Sequence, residues 1–300
     1  MIKKIIKYYS KKKHIICPDI YIGKGTVALL FFITLLFALA IWWLNHDLSL
    51  VDFWKDLPVD HKIIELFCEK TEMKKVVRQP VNTFSGIIYL IVAIIILKES
   101  QKELKNSSAE KQNKENLIHK IFFAFILLYV FLACTFYHSS LTNFAFKIDF
   151  SAVYFFSLFP ITYLSYLWLL TNNPKLSDIS KKSVIIAIYS VYLIVCLLLS
   201  FFVPKGKEHI VSFVCILMFF AFAITILLKN PKKENVNYLV SSIICTIVAL
   251  VWLKLDKHTF MCNPKSYFQP HSLWNLFIGL SGFYFYVFMR NEDNPKKYLT

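Results

Sequence analysis

Five residues of this chain could do chemistry because of their types and spacing. Cys134, His138 and Asp149 fall in the stretch ACTFYHSSLTNFAFKIDFS, and His271 and Asn275 fall in QPHSLWNLFIGLSGFYF. Cys134 and His138 are four residues apart, as are His271 and Asn275, so on helices each pair shares a face. Asp149 follows His138 after a break of ten residues and opens the next apolar run. Two helices would thus each offer a pair of polar groups toward a carboxylate. Imidazole, thiolate and carboxylate are the usual ligands of zinc. Zinc with an open position lowers the pKa of bound water to ~7 and makes it a nucleophile. The spacing alone leaves two readings open: a metal site, or interfacial histidines satisfied by backbone and water.

The elements that must position these residues are membrane helices. The chain of 300 residues is 57% hydrophobic with a mean hydropathy of +0.53 and 29 Phe, against ~45–50% apolar for a soluble domain. The excess lies in uncharged runs over 26–45, 79–97, 121–146, 150–174, 183–204, 210–228, 235–253 and 266–289. Each is long enough for the roughly 20 residues that cross the hydrocarbon core. The dyad alternation of a membrane barrel is missing. The expectation is an all-α integral membrane protein of eight transmembrane helices. Ionisable residues at the edge of a membrane core are costly, so His138, Asp149 and His271 mark a functional site.

A net charge of +15 reports topology here rather than nucleic-acid binding. About two thirds of the Lys and Arg lie in the N-terminal arm, the C-terminal tail and the loops on their side of the helices. The positive-inside rule puts both termini in the cytoplasm and the polar constellation at the outer face of a plasma (inner) membrane. The first run could be a signal peptide, since Ala38-Leu39-Ala40 resembles a cleavage site. The apolar run continues through Trp42 and Trp43 without a polar break, which favours a retained anchor. Cys68 and Cys262 are the two cysteines that the charge rule places in outer loops. An outer compartment permits disulfides, so the expectation is a Cys68–Cys262 bridge, the alternative being two free thiols.

The chain divides into a basic arm (1–25), an extra N-terminal helix (26–45), an outer segment (46–78), a seven-helix core (79–290) and a tail (291–300). In the outer segment Trp54, Ile63, Ile64 and Phe67 are spaced like one face of a helix lying on the membrane. Residues 98–118 are charged, poor in apolar side chains and expected to be mobile. Pro80 and Pro270 precede the site-bearing stretches and suit the first turn of a helix, whereas Pro160 falls mid-run and predicts a kink.

Over roughly residues 65–290 the chain resembles the alkaline ceramidases, seven-helix membrane amide hydrolases in a superfamily with the adiponectin and progestin receptors. FCEKTE resembles the family's Trp-Cys-Glu stretch. QPVNTFSGIIYL resembles its Glu-Phe-Trp-Asn-Thr-x-Ser-Asn stretch through Asn82, Thr83 and Ser85. FYHSSL resembles Phe-His-x-Thr-Leu, and QPHSLWNLF resembles the final His-x-x-x-His helix. Asp149, eleven residues past His138, keeps the family's spacing. The resemblance implies that His138 and His271 are zinc ligands, that Asp149 positions the water, and that Cys68 pairs with Cys262. Two positions depart: Asn275 replaces the last histidine, and Cys134 replaces a serine. A Cys134–His138–His271 set would compensate, leaving Asn275 as a metal or substrate contact. Of the family's calcium ligands only Glu69 remains, with Gln79 and Leu66 replacing acids, so calcium is not expected.

The function so implied is zinc-dependent hydrolysis of ceramide or a related lipid amide. The alternatives are a non-catalytic lipid-binding or receptor-like protein, or a lipid ester hydrolase. Membrane and lipid are the implied partners, nucleic acid is not, and no feature fixes the oligomeric state. A transporter is disfavoured by only 6 Gly. A retinal pigment would need a mid-membrane lysine, and Lys254 lies at a helix end.

Overall fold

The computed structural model describes residues 23–59, 65, 67–106, 111–172, 178–204, 206–229, 235–256 and 261–292. The basic arm up to residue 22, Ile63, Ile64, Leu66 and the tail beyond residue 292 lie outside them. The fold is an all-α membrane bundle. Its helices are α1 (Lys24–His46), α2 (Pro80–Ser85), α3 (Ile87–Asn106), α4 (Lys111–Ser140), α5 (Asn143–Asn172), α6 (Asp178–Phe202), α7 (Glu208–Lys229), α8 (Val236–Leu255) and α9 (Pro270–Glu292). With α2 and α3 forming one span, eight helices among the described residues are long and apolar enough to cross a membrane.

Helix α5 packs against α4, α6 and α7, while α9 lies against α8 and touches α2, α3 and α4. Aromatic rings fill the middle. Phe123 of α4 stacks on Phe159 of α5 at 4.8 Å, and Phe285 of α9 meets Phe123, Phe159, Tyr163 and Phe219 edge to face. Such pairs orient rings as well as bury them. α1 stands apart, with Ile41 as its buried residue.

Proline and glycine act where sequence places them. Pro80 and Pro270 start α2 and α9. α5 runs on through Pro160. Gly279 of α9 meets Ile88 of α3 so closely that an added Cβ would sit 2.5 Å from Ile88 Cγ1.

Three expectations change. The break between α4 and α5 is only residues 141–142, not the ten residues after His138. Thr142 closes it by accepting the Ala145 N–H on its hydroxyl at 3.3 Å, as an N-cap does. Leu141 takes a left-handed conformation there, φ +50°. Asp149 therefore sits in the second turn of α5 rather than at its start. The charged segment 98–118 is largely helical, with 98–106 ending α3 and 111–118 opening α4. Ion pairs there offset its low apolar content: Lys102–Glu99 at 2.5 Å, Lys120–Glu103 at 2.7 Å, and Arg290 at 3.4 Å from both acids. Finally, Trp54 lies among turns, not on a helix. Its indole N–H donates to Val76 O at 2.7 Å, and Phe67 turns inward to the site.

Candidate functional site

The end of the bundle where α4 stops and α2, α5 and α9 begin gathers the polar residues. Residues 76–79 fold across the C-terminus of α4 and satisfy its last carbonyls. Arg78 N donates to Ser139 O at 3.0 Å, Gln79 N to His138 O at 3.1 Å, and the Arg78 guanidinium to Ser140 O at 2.6 Å. This strap fixes the last turn of α4, which carries His138. Cys68 and Cys262 are joined by a disulfide with Cα atoms 5.5 Å apart, tying the strap's approach to the loop before α9.

His138 and His271 come together with ring centroids 4.7 Å apart, and Phe67 meets both edge to face at 5.1 and 4.9 Å. His138 Nδ1 lies 2.8 Å from Gln79 Oε1. An amide oxygen only accepts, so Nδ1 carries the proton and Nε2 keeps its lone pair. His271 Nδ1 lies 3.2 Å from Asp256 Oδ2, but out of line for a hydrogen bond. Asp256 Oδ1 accepts the Cys68 N–H at 3.2 Å. Neither Nε2 has a hydrogen-bond partner among the described residues. Two imidazoles with outer groups on Nδ1 and free Nε2 atoms resemble the way metal-binding histidines are oriented.

The remaining candidates divide. Asn275, one turn below His271, is fully engaged: its amide donates to Ser85 Oγ at 2.8 Å and toward Cys134 Sγ at 3.7 Å, and its oxygen accepts from Tyr89 at 3.1 Å. Gly86, at the junction of α2 and α3, lets that junction close on Cys134; a Cβ there would lie 3.4 Å from Sγ. Asp149 is half-buried, with no hydrogen bond or ion pair among the described residues. Its carboxylate lies within electrostatic reach of His271, Cys134 and Tyr89. Glu69 caps α2, accepting the Val81 and Asn82 N–H groups at 2.8 Å each. Burial pushes its carboxyl up to about 7, opposed by those two bonds and by His271.

The donor set fits a zinc ion in part. The rings of His138 and His271 lie 4.7 Å apart with no hydrogen bond on either Nε2 among the described residues, and Cys134 is a soft donor one turn before His138. Among the described residues no three His, Cys, Asp or Glu side chains converge as a metal-binding group. Cys134 becomes a third donor only if its contact with Asn275 gives way.

Sequence reasoning missed Asp256 and the roles of Gln79, Tyr89 and Phe67. Asp256 ends an apolar run as Asp149 opens one, so the same criterion applied to every run would have found it. Tyr89 had no signal, since a tyrosine inside an apolar run reads as packing. Comparison of the chain with protein-family models, with curated proteins and with solved structures finds no match.

Proposed function

We propose that the protein is a membrane hydrolase of a lipid amide, ceramide or a close relative, using a zinc ion held by His138, His271 and Cys134. Its place would be the plasma (inner) membrane, with both termini cytoplasmic and the site toward the outer face. One observation carries the reading: an unpaired carboxylate, Asp149, within electrostatic reach of His271, whose ring lies 4.7 Å from that of His138. An unpaired acid within a membrane span is costly unless it serves a function. Zinc, when bound, would supply Lewis acidity and a water acidified to ~7.

The chain's own residues have separable tasks. Gln79 accepts from His138 Nδ1 and so leaves the Nε2 lone pair free. Asp256 stands beside the His271 ring, its Oδ2 3.2 Å from Nδ1. Asp149 is the general base that takes a proton from the attacking water and passes it to the departing amine. Phe67 packs on both imidazoles and keeps bulk water from them.

The test pairs zinc content with ceramide hydrolysis by detergent-purified protein. The expectation is about one zinc per chain, as for a single catalytic site. Asp149→Asn keeps the metal and slows turnover by at least ~10²-fold. Cys134→Ala loses metal, whereas Asn275→Ala leaves it largely in place. The opposite pattern removes Cys134 from the ligand set.

A second reading is a non-catalytic lipid-binding protein. It is favoured by the saturated Asn275 bonds, which occupy the position where a third imidazole would stand. No metal and no turnover from zinc-replete protein would establish it over the first.

A further inference from the structure

At the other end of the bundle from the two histidines, α1 and the core part to leave a groove of about 490 Å³. We propose that this groove is a binding site for an anionic phospholipid, with an acyl chain along its wall and the phosphate at Lys98.

The groove exists because α1 is fastened at one end. Asn45 pairs with the Val77 main chain in both directions, donating to Val77 O at 3.0 Å and accepting from Val77 N at 2.8 Å. Lys75 Nζ donates to Asn45 O at 2.6 Å. Phe37 packs against Phe84 and Phe131 at 6.2 and 5.4 Å. Toward Lys24 the helix leaves the core. Leu29 of α1 faces Ile94, Leu97 and Leu104 of α3 and Ile121 of α4 across the opening. The volume falls within the ~300–1,000 Å³ of small-molecule sites. A groove between membrane-spanning helices is filled from the bilayer, whose chains are as apolar as leucine.

The charge at Lys98 selects the headgroup. Lys98 lines the groove, is exposed and has no ion-pair partner among the described residues. Its neighbours differ: Lys102, Lys120 and Arg290 all lie on Glu99 or Glu103. Lys98 therefore supplies the countercharge for a phosphate. A zwitterionic headgroup would also bring an ammonium, and both acids near the rim are already paired.

The test is native mass spectrometry of the full chain in detergent with phosphatidylglycerol or phosphatidylcholine of the same acyl chains. The expected result is about fivefold preferential retention of phosphatidylglycerol, the worth of one lysine near a membrane surface. Lys98→Gln removes the preference, and Ile94→Trp, which fills the wall, lowers retention of phosphatidylglycerol. Thermal stabilisation by phosphatidylglycerol, lost in Lys98→Gln, supports the site even where Ile94→Trp fails to fold. Equal retention of the two lipids, or a preference unchanged in Lys98→Gln, overturns it. Equal stabilisation by inorganic phosphate alone would also overturn the lipid assignment.

Discussion

Glu69 shows how one buried group ties the strap to the site. Its carboxyl is pushed up to about 7 from an ordinary 4.5 by burial, with the backbone N–H groups of Val81 and Asn82 opposing. The native state thus holds a proton that the unfolded chain has released across that window. Stability therefore falls as pH rises from about 4.5 toward about 7, the region where the unfolded state binds fewer protons. In Glu69→Gln this part of the pH dependence disappears, while loss of one cap bond costs about 1 kcal/mol at all pH values. Thermal midpoints in detergent from pH 4.5 to 8 check this, and parallel curves for the two proteins would refute it. At this scale the sequence was informative where a polar type broke an apolar run: His138, Asp149 and His271 all lie at the gathered end. It was blind to pairing. That Asn275 is absorbed by Ser85, Tyr89 and Cys134 depends on contacts between residues up to 190 positions apart, which no local spacing encodes.

Helix α9 carries both a candidate site histidine and a close approach to α3 at Gly279, so its packing bears on where His271 stands. Gly279 is two turns beyond His271, and a methyl there would lie 2.5 and 2.8 Å from the Ile88 γ carbons and 3.2 Å from its Cβ. The crowding reaches the branch point of Ile88, so a rotamer change does not relieve it. Gly279→Ala should destabilise by ~1–3 kcal/mol, and Ile88→Ala in the same chain should recover part of that loss through coupling between touching residues. A lower thermal midpoint for the single variant and partial recovery in the double variant are the expected readings; additive losses would place the strain elsewhere. The eight spans were legible because length and apolarity alone specify a membrane helix. Their ends were not. α4 continues to Ser140 and α5 starts at Asn143 because Thr142 caps a two-residue turn, and charged residues 98–106 stay helical through ion pairs to α4 and α9. Capping and long-range pairing, rather than hydropathy, set those boundaries.

Across the whole molecule, topology and covalent chemistry constrain each other. The Cys68–Cys262 disulfide spans 194 residues and binds the approach to the core to the loop before its last helix. A disulfide is stable in an oxidising compartment and not in the cytosol, so the orientation proposed above, with that end of the bundle outward, is the one in which the bridge would persist. The lysine bias favours the same proposed orientation, since the loops at the opposite end carry most of the positive charge. A reporter fused after Thr300 should then behave as cytoplasmic, and Cys68 and Cys262 should be found joined in non-reducing peptide maps. Reduction of such a link typically costs ~2–4 kcal/mol by freeing the unfolded chain. Here the unfolded reference is already confined, because the intervening spans stay in the bilayer, so the loss belongs at the low end of that range. The local effect is larger than the global one: Cys68 N–H is the donor that holds Asp256 beside His271. If the protein is the zinc hydrolase proposed above, Cys68→Ser with Cys262→Ser should lower turnover and metal retention while the thermal midpoint falls only slightly. A variant that unfolds in full before any site property changes would show the bridge to be structural alone. A reporter active only on the outer side would overturn the orientation and the disulfide argument together.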